Sequence, residues 1–165
     1  MSYIGNSPVA GPANKIEQGD SSVEVIDTGT GRIEFTTDGT KVAEIDASGN
    51  MKFDSGYGSA ETAYGCRAWV NFNGTGTVAI RDSGNVSSIT DNGPGQYTVN
   101  FAAAMPDTNY ATSISVGFSI SGGDDWVFTH ERMDFKATSS TRLHIANNTV
   151  SSNVDMFGVF VAIFR

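Results

Sequence analysis

At 165 residues the chain is at the scale of one ordinary domain, or of a compact domain with a small appendage. Charged residues make up 17%, strong helix formers are scarce and Leu143 is the only leucine; this excludes coiled coils and helical bundles, whereas plentiful Phe, Val, Ile and Thr suit pleated strands. A net charge of −8 speaks against nucleic acid and anionic membrane as partners, the single cysteine excludes an intrachain disulfide framework and a cysteine-based zinc site, and no apolar run is long enough for a transmembrane helix.

The segment Met1 to Pro8 has neither the basic nor the apolar region of a signal peptide, so export by that route is not expected. Residues 1–15 carry Gly5, Pro8, Gly11 and Pro12 between small residues and show no periodicity; they read as a loose arm, either disordered or ordered on a partner. In residues 16–54 short apolar runs alternate with turn signals: Val23 to Ile26, Ile33 to Phe35, Asp38-Gly39, Val42 to Ile45, Ser48-Gly49-Asn50 and Met51 to Phe53. Asp-Gly between strand-like runs is a hairpin signal, because both central turn residues need positive φ. Val23, Ile26, Asp27, Gly31, Ile33 and Phe35 recur as Val42, Ile45, Asp46, Gly49, Met51 and Phe53. Two copies are too few for a free-standing solenoid, and some 40 residues with few large side chains rarely stand alone. The simplest repair is self-association, in which strands from several chains share one core. Residues 55–65, small and Gly-rich, read as a linker.

From Cys66 to Arg165 strands recur at sandwich spacing: 66–73, 77–82, 86–90, 96–102, 110–120, 126–131, 141–147 and 155–165, separated by turn chemistry such as Asn73-Gly74, Gly93-Pro94-Gly95 and Gly122-Gly123. Tyr97, Val99 and Phe101 alternate with polar residues, as do Ile114, Val116, Phe118 and Ile120, each a strand with one buried face. Cys66, Ala68, Val70 and Phe72 form one face of the first strand and are expected to point inward. The expected fold is all-β, an N-terminal β-repeat stalk followed by an antiparallel β-sandwich.

The last strand is apolar on both sides. Phe157, Val159, Val161 and Ile163 share one face; Met156, Gly158, Phe160, Ala162 and Phe164 share the other. A strand apolar on both faces is covered on both, here by another subunit or by a loop of the same chain. Trp69 lies opposite the inward face, between Arg67 and Asn71, where an aromatic either packs on a neighbouring subunit or offers its ring to a sugar. Trp69, Phe160 and Phe164 are the candidate oligomer contacts.

Catalysis has little support. His130 and His144 sit on strands without ligand spacing, and no Gly-x-Ser-x-Gly elbow is present. Gly74-Thr75-Gly76 and Gly93-Pro94-Gly95 precede no helix that could cradle phosphate. Asp124 and Asp125 are adjacent, without the oxygen-rich spacing calcium needs, and no catalytic residue, metal or cofactor is assigned. Trp126 follows Asp124 and Asp125 at a loop-to-strand junction. A ring that stacks on a sugar's C–H face beside carboxylates that accept from its hydroxyls is apparatus for a carbohydrate; a core tryptophan at strand entry is the plainer alternative.

The stretch Cys66-Arg67-Ala68-Trp69-Val70-Asn71-Phe72-Asn73-Gly74-Thr75-Gly76 resembles the opening of a domain at the C-terminal end of bacteriophage tail-fibre-like virion proteins. The similarity continues through Ile80 to Gly93, Tyr97 to Phe101 and Ala104 to Tyr110; Met1 to Pro8 resembles the N-terminus of structural proteins from tailed phages, cyanophages among them, and residues 23–53 are similar to connector segments of such fibres. The resemblance implies a homotrimer in the virion, assembled in the host cytoplasm, anchored to other virion proteins by its N-terminal arm and presenting the sandwich to host-surface polysaccharide. The chain is short for a tail fibre, so the resemblance also admits a capsid, neck or tail decoration or adaptor protein. A depolymerising glycosidase would need a paired acid and base at fixed separation, and the sequence offers no such pair.

Overall fold

The computed structural model describes residues 14–56, 58–117, 127–147 and 153–165. The chain divides into two units, Met1–Ala63 and Tyr64–Arg165.

The first unit is a single antiparallel sheet in which six strands follow in chain order: β1 Lys15–Gln18, β2 Ser21–Ile26, β3 Arg32–Thr37, β4 Thr40–Ile45, β5 Met51–Phe53 and β6 Glu61–Thr62. The β3–β4 turn is the expected one: Asp38 and Gly39 take φ of 47° and 70°. β6 lies inside the stretch read as a linker and pairs Thr62 with Lys52, so the first unit reaches further than composition suggested. The internal repeat is also offset. A register shift between Phe35 and Thr36 leaves Val42 without a partner in the β3–β4 ladder, so Ile45 occupies the face of Val25 rather than that of Ile26.

The two faces of this sheet differ sharply. Ile16, Val23, Val25, Ile33, Phe35, Ala43, Ile45, Met51 and Phe53 are joined by direct cross-strand pairing and line one side. On the other, Glu24, Glu34, Glu44 and Lys52 form a continuous row. That side is laced by ion pairs: Arg32 to Glu34 at 2.7 Å, Lys41 to Glu44 at 2.9 Å and Lys52 to Asp46 at 3.1 Å.

The second unit is a sandwich of two four-stranded antiparallel sheets. One has the order β12-β13-β10-β9, the other β11-β14-β7-β8. The strands are β7 Cys66–Asn73, β8 Ala79–Gly84, β9 Val86–Asp91, β10 Gln96–Phe101, β11 Ala111–Gly117, β12 Val127–Glu131, β13 Ser140–Asn147 and β14 Gly158–Phe164. Each overlaps one of the eight strands expected from the alternation; residues 118–120 and 126 of those strands lie outside the described residues. Alternate residues of β7, β10, β13 and β14 enter one core: Ala68, Val70 and Phe72; Tyr97, Val99 and Phe101; Leu143 and Ile145; Val159, Val161 and Ile163. Every buried apolar side chain among the described residues belongs to this unit.

Polar groups fix its corners. Asn85 takes a left-handed φ of 55° where the chain passes from β8 to β9, and its amide bonds the carbonyls of Arg67 and Ala103. The Tyr97 ring meets Phe72 edge-on at 5.1 Å, and its hydroxyl donates to the Asp155 carboxylate at 2.5 Å and lies 2.9 Å from the Gly74 carbonyl. Burial, and then the adjacent Asp155 carboxylate, push the Tyr97 phenol well above its ordinary range.

Two inward assignments are corrected. Cys66 is exposed, because β7 pairs Ala68 with Ile163 but Cys66 with Phe164; this bulge at Arg67 turns the thiol off the core face. Phe157 is exposed and Met156 buried, the reverse of the alternation, because β14 begins only at Gly158.

Candidate functional site

The outer face of the β11-β14-β7-β8 sheet carries the three residues assigned as oligomer contacts. In the β7–β14 register Trp69 lies beside Ala162, Asn71 beside Phe160 and Cys66 beside Phe164. On the far side of β14, Ser113 pairs with Ala162 and Ser115 with Phe160. Trp69, Phe160 and Phe164 are each about 41–42% exposed, so these large rings stand at the surface of a well-filled sandwich.

Glycines seat two of the rings. A Cβ on Gly84, the cross-strand partner of Trp69, would come within 2.5 Å of the indole nitrogen, so the indole lies directly over the Gly84 backbone. A Cβ on Gly158 would meet the Phe160 ring at 3.2 Å, and one on Gly117 at 3.4 Å. Neighbouring glycines, Gly84 and Gly117 on adjacent strands and Gly158 on the strand of Phe160 itself, thus let each ring lie close to the sheet, where its own face is presented outward. Between them is a depression of about 300 Å³ lined by Trp69, Asn71, Ser113, Ser115, Phe160 and Ala162. Arg81 stands at the margin, donating to Asn71 Oδ1 at 3.2 Å and the Phe157 carbonyl at 2.5 Å, its guanidinium 4.6 Å from the Phe157 ring centroid. Rings, hydroxyls and an amide suit this face to packing and stacking.

A second surface is the apolar side of the first unit. Ile16 is 80% exposed, Met51 56%, Val25 48% and Phe53 45%, whereas Glu44 on the charged side is 9% exposed. The ordering is inverted relative to an ordinary half-buried sheet, in which the apolar side is the covered one. Glu44 is shielded by Lys41 and Lys52, whose ammonium groups also hold its carboxyl below the usual range; the Lys41 hydrogen bond is the main cause. Nothing among the described residues of the first unit covers the apolar side.

The residues assigned to a receptor, Asp124, Asp125 and Trp126, lie outside the described residues. The two histidines, which the sequence placed on strands without ligand spacing, meet across β12–β13: His144 Nδ1 is 2.9 Å from His130 Nε2. Burial lowers the His130 pKa below the ordinary histidine value, with His144 and Arg132 adding to the shift. Two arrangements escaped the sequence reading, the glycine seats and the Tyr97–Asp155 bond. Gly84, Gly117 and Gly158 sit within or at the ends of strand patterns, a signal for close approach of another group; what approaches depends on register. Compared with known proteins, the chain matches no family model, no curated protein and no solved structure.

Proposed function

We propose that the chain is a homotrimeric virion structural protein of tail-fibre type, joined to other virion proteins through its N-terminal arm and offering its sandwich for attachment to host-surface glycan. The observation that carries the self-association is the uncovered apolar side of the first unit. Nine apolar residues line one side of a sheet that has no buried apolar side chain of its own, while the opposite side is charged and ion-paired. Equivalent sheets from three chains, apolar sides inward, would supply the missing core. The outer face bearing Trp69, Phe160 and Phe164 is the second contact region in this reading. The tail-fibre assignment rests on the resemblance of Cys66 to Tyr110 and of the N-terminus, and the glycan contact on Asp124, Asp125 and Trp126.

Light scattering and sedimentation of the purified chain at micromolar concentration should give three times the protomer mass of 17.4 kDa. A monomer would overturn the reading. Adhesion of the purified trimer to host cells, with competition against phage, distinguishes an attachment fibre from a decoration or adaptor protein, and immunogold electron microscopy of virions locates it.

A further inference from the structure

His130 lies on β12, the edge strand of its sheet, and His144 lies directly opposite it on β13. Both imidazoles stand on the outer side of that sheet, since their neighbours Leu143 and Ile145 are the ones that enter the core. His130 Nε2 and His144 Nδ1 are 2.9 Å apart, the rings at 76° to one another with centroids separated by 4.5 Å. The remaining nitrogen of His144, Nε2, bonds Asn153 Oδ1. An amide oxygen can only accept, so this bond places the His144 proton on Nε2 and leaves the Nδ1 lone pair directed at His130. Holding a ligating imidazole by its other ring nitrogen is the usual way a protein orients a metal ligand.

With metal–nitrogen bonds of about 2.0–2.1 Å, ligands at a right angle lie about 2.8–3.0 Å apart, whereas tetrahedral ligands lie about 3.3–3.4 Å apart. The observed 2.9 Å is the length of the hydrogen bond between the two rings, and it leaves both nitrogens within reach of one ion. Imidazole and oxygen donors bind divalent first-row ions with an affinity that rises to Ni²⁺ and peaks at Cu²⁺.

We propose that His130 and His144 form a two-imidazole site for a divalent transition metal of Cu²⁺ or Ni²⁺ type, with its other positions taken by water or by oxygen and nitrogen donors from outside the chain. Among the described residues no third His, Cys, Asp or Glu joins the pair. The ligand change is small. In the free protein His130 donates its Nε2 proton to His144 Nδ1; in the bound form His130 carries that proton on Nδ1 instead, and a rotation of the rings lets both freed lone pairs converge on the metal. The inference stands independently of the tail-fibre reading, because it uses only the β12–β13 register and Asn153.

His130 and His144 are the only histidines of the chain. Imidazole coordination in untagged protein therefore has a single origin. The test is titration of Cu²⁺ into untagged Cys66→Ser protein, followed by calorimetry and by pulsed EPR, in which the remote nitrogen of each imidazole gives its own modulation. The substitution removes the exposed thiol, which would otherwise reduce Cu²⁺. One equivalent per chain and two imidazole nitrogens per copper are expected. His130→Gln, an edge-strand change away from the core, should leave one imidazole signal and weaken binding at least about tenfold, the smallest loss seen even when an outer partner of a ligand is removed. His144→Gln should do the same, and near-ultraviolet circular dichroism confirms that both variants stay folded. Equal affinity in wild type and His130→Gln would overturn the proposal. So would a wild-type spectrum without imidazole nitrogen, and so would four nitrogens per copper, which would mean a metal shared between chains.

Discussion

Val25→Asp tests the shared core at its centre. Val25 pairs with Ile33 on the apolar side and is 48% exposed in the single chain. If three chains close over that side, the new carboxylate must be buried. Its cost has a ceiling, because the group can take up a proton instead. Protonating an aspartate of ordinary pKa near 3.9 costs about 4 kcal/mol at pH 7 but only about 1.5 kcal/mol at pH 5, at about 1.4 kcal/mol per pH unit. Three chains pay it together, about 12 kcal/mol at pH 7 and about 4.5 at pH 5, or about nine and three decades in the assembly constant. The sign follows from linkage: an aspartate whose pKa rises on assembly destabilises the assembly above its free pKa, and the penalty fades as pH falls toward that value. Sedimentation velocity at both pH values should therefore show monomer at pH 7 and recovery of trimer toward pH 5. Glu24→Gln, on the charged side of the same strand, should leave the mass unchanged. Both tryptophans lie in the second unit, so near-ultraviolet circular dichroism reports whether that unit stays folded. A Val25→Asp protein of wild-type mass at pH 7 would refute the shared core, and a defect of equal size at both pH values would show that something other than charge burial was responsible.

Other perturbations follow from local geometry. Lys136→Met strands Glu131, whose carboxylate takes the Lys136 ammonium at 2.8 Å and the Thr112 hydroxyl at 2.8 Å; the pair is nearly enclosed, so about 3–5 kcal/mol should be lost, with much of it recovered by adding Glu131→Gln, as read by urea denaturation. Gly95→Ala places a methyl 2.2 Å from the Ile145 carbonyl oxygen and 2.7 Å from the Val154 nitrogen, at a φ of 62° that side chains avoid; loss of at least about 2 kcal/mol should lower the melting temperature of the sandwich by about 10 °C in calorimetry, and an unchanged melting point would contradict the close approach. Asp46 accepts the amides of Asn50 and Ser48, each at 2.9 Å, and faces Lys52; these bonds, that from the Asn50 amide first, hold its carboxyl at about 2. Its folded pKa lies below the unfolded value, so its contribution is complete above about pH 4 and is lost as pH falls through about 2. Carboxyl NMR chemical shifts should show a midpoint near 2, and Asp46→Asn should remove the acid-dependent step in β4–β5 stability.

The elements were legible because their signals are local. Asp38-Gly39 can only be a tight turn with two left-handed residues, and Tyr97, Val99 and Phe101 can only share a face; both follow from the residues themselves. What escaped was decided by one-residue events between strands. The bulge at Arg67 turned Cys66 outward, and the shift near Phe35 displaced the second copy of the repeat by one position. Neither bulge has a residue signature such as a strand glycine, so the period-2 rule ran through them unchecked.

Register also explains why the surfaces were read less well than the core. Core residues need only reach the common interior, and any register that keeps the faces does that. A surface arrangement needs one particular partner opposite. Trp69 meets Gly84 across β7–β8, Phe160 lies over Gly117 and Gly158, and His130 faces His144, 14 positions away in sequence. In each instance residue types were visible and the pairing was not. The uncovered side of the first unit is the instructive exception. Its apolar character was written in the alternation of β2, β3 and β4, and the small number of large side chains already argued that the unit needed others like itself. Atomic detail adds the inversion of exposure, with Glu44 covered and Ile16, Val25 and Met51 bare. Here the charged side is already closed by its own lysines, and the apolar side is the one left exposed.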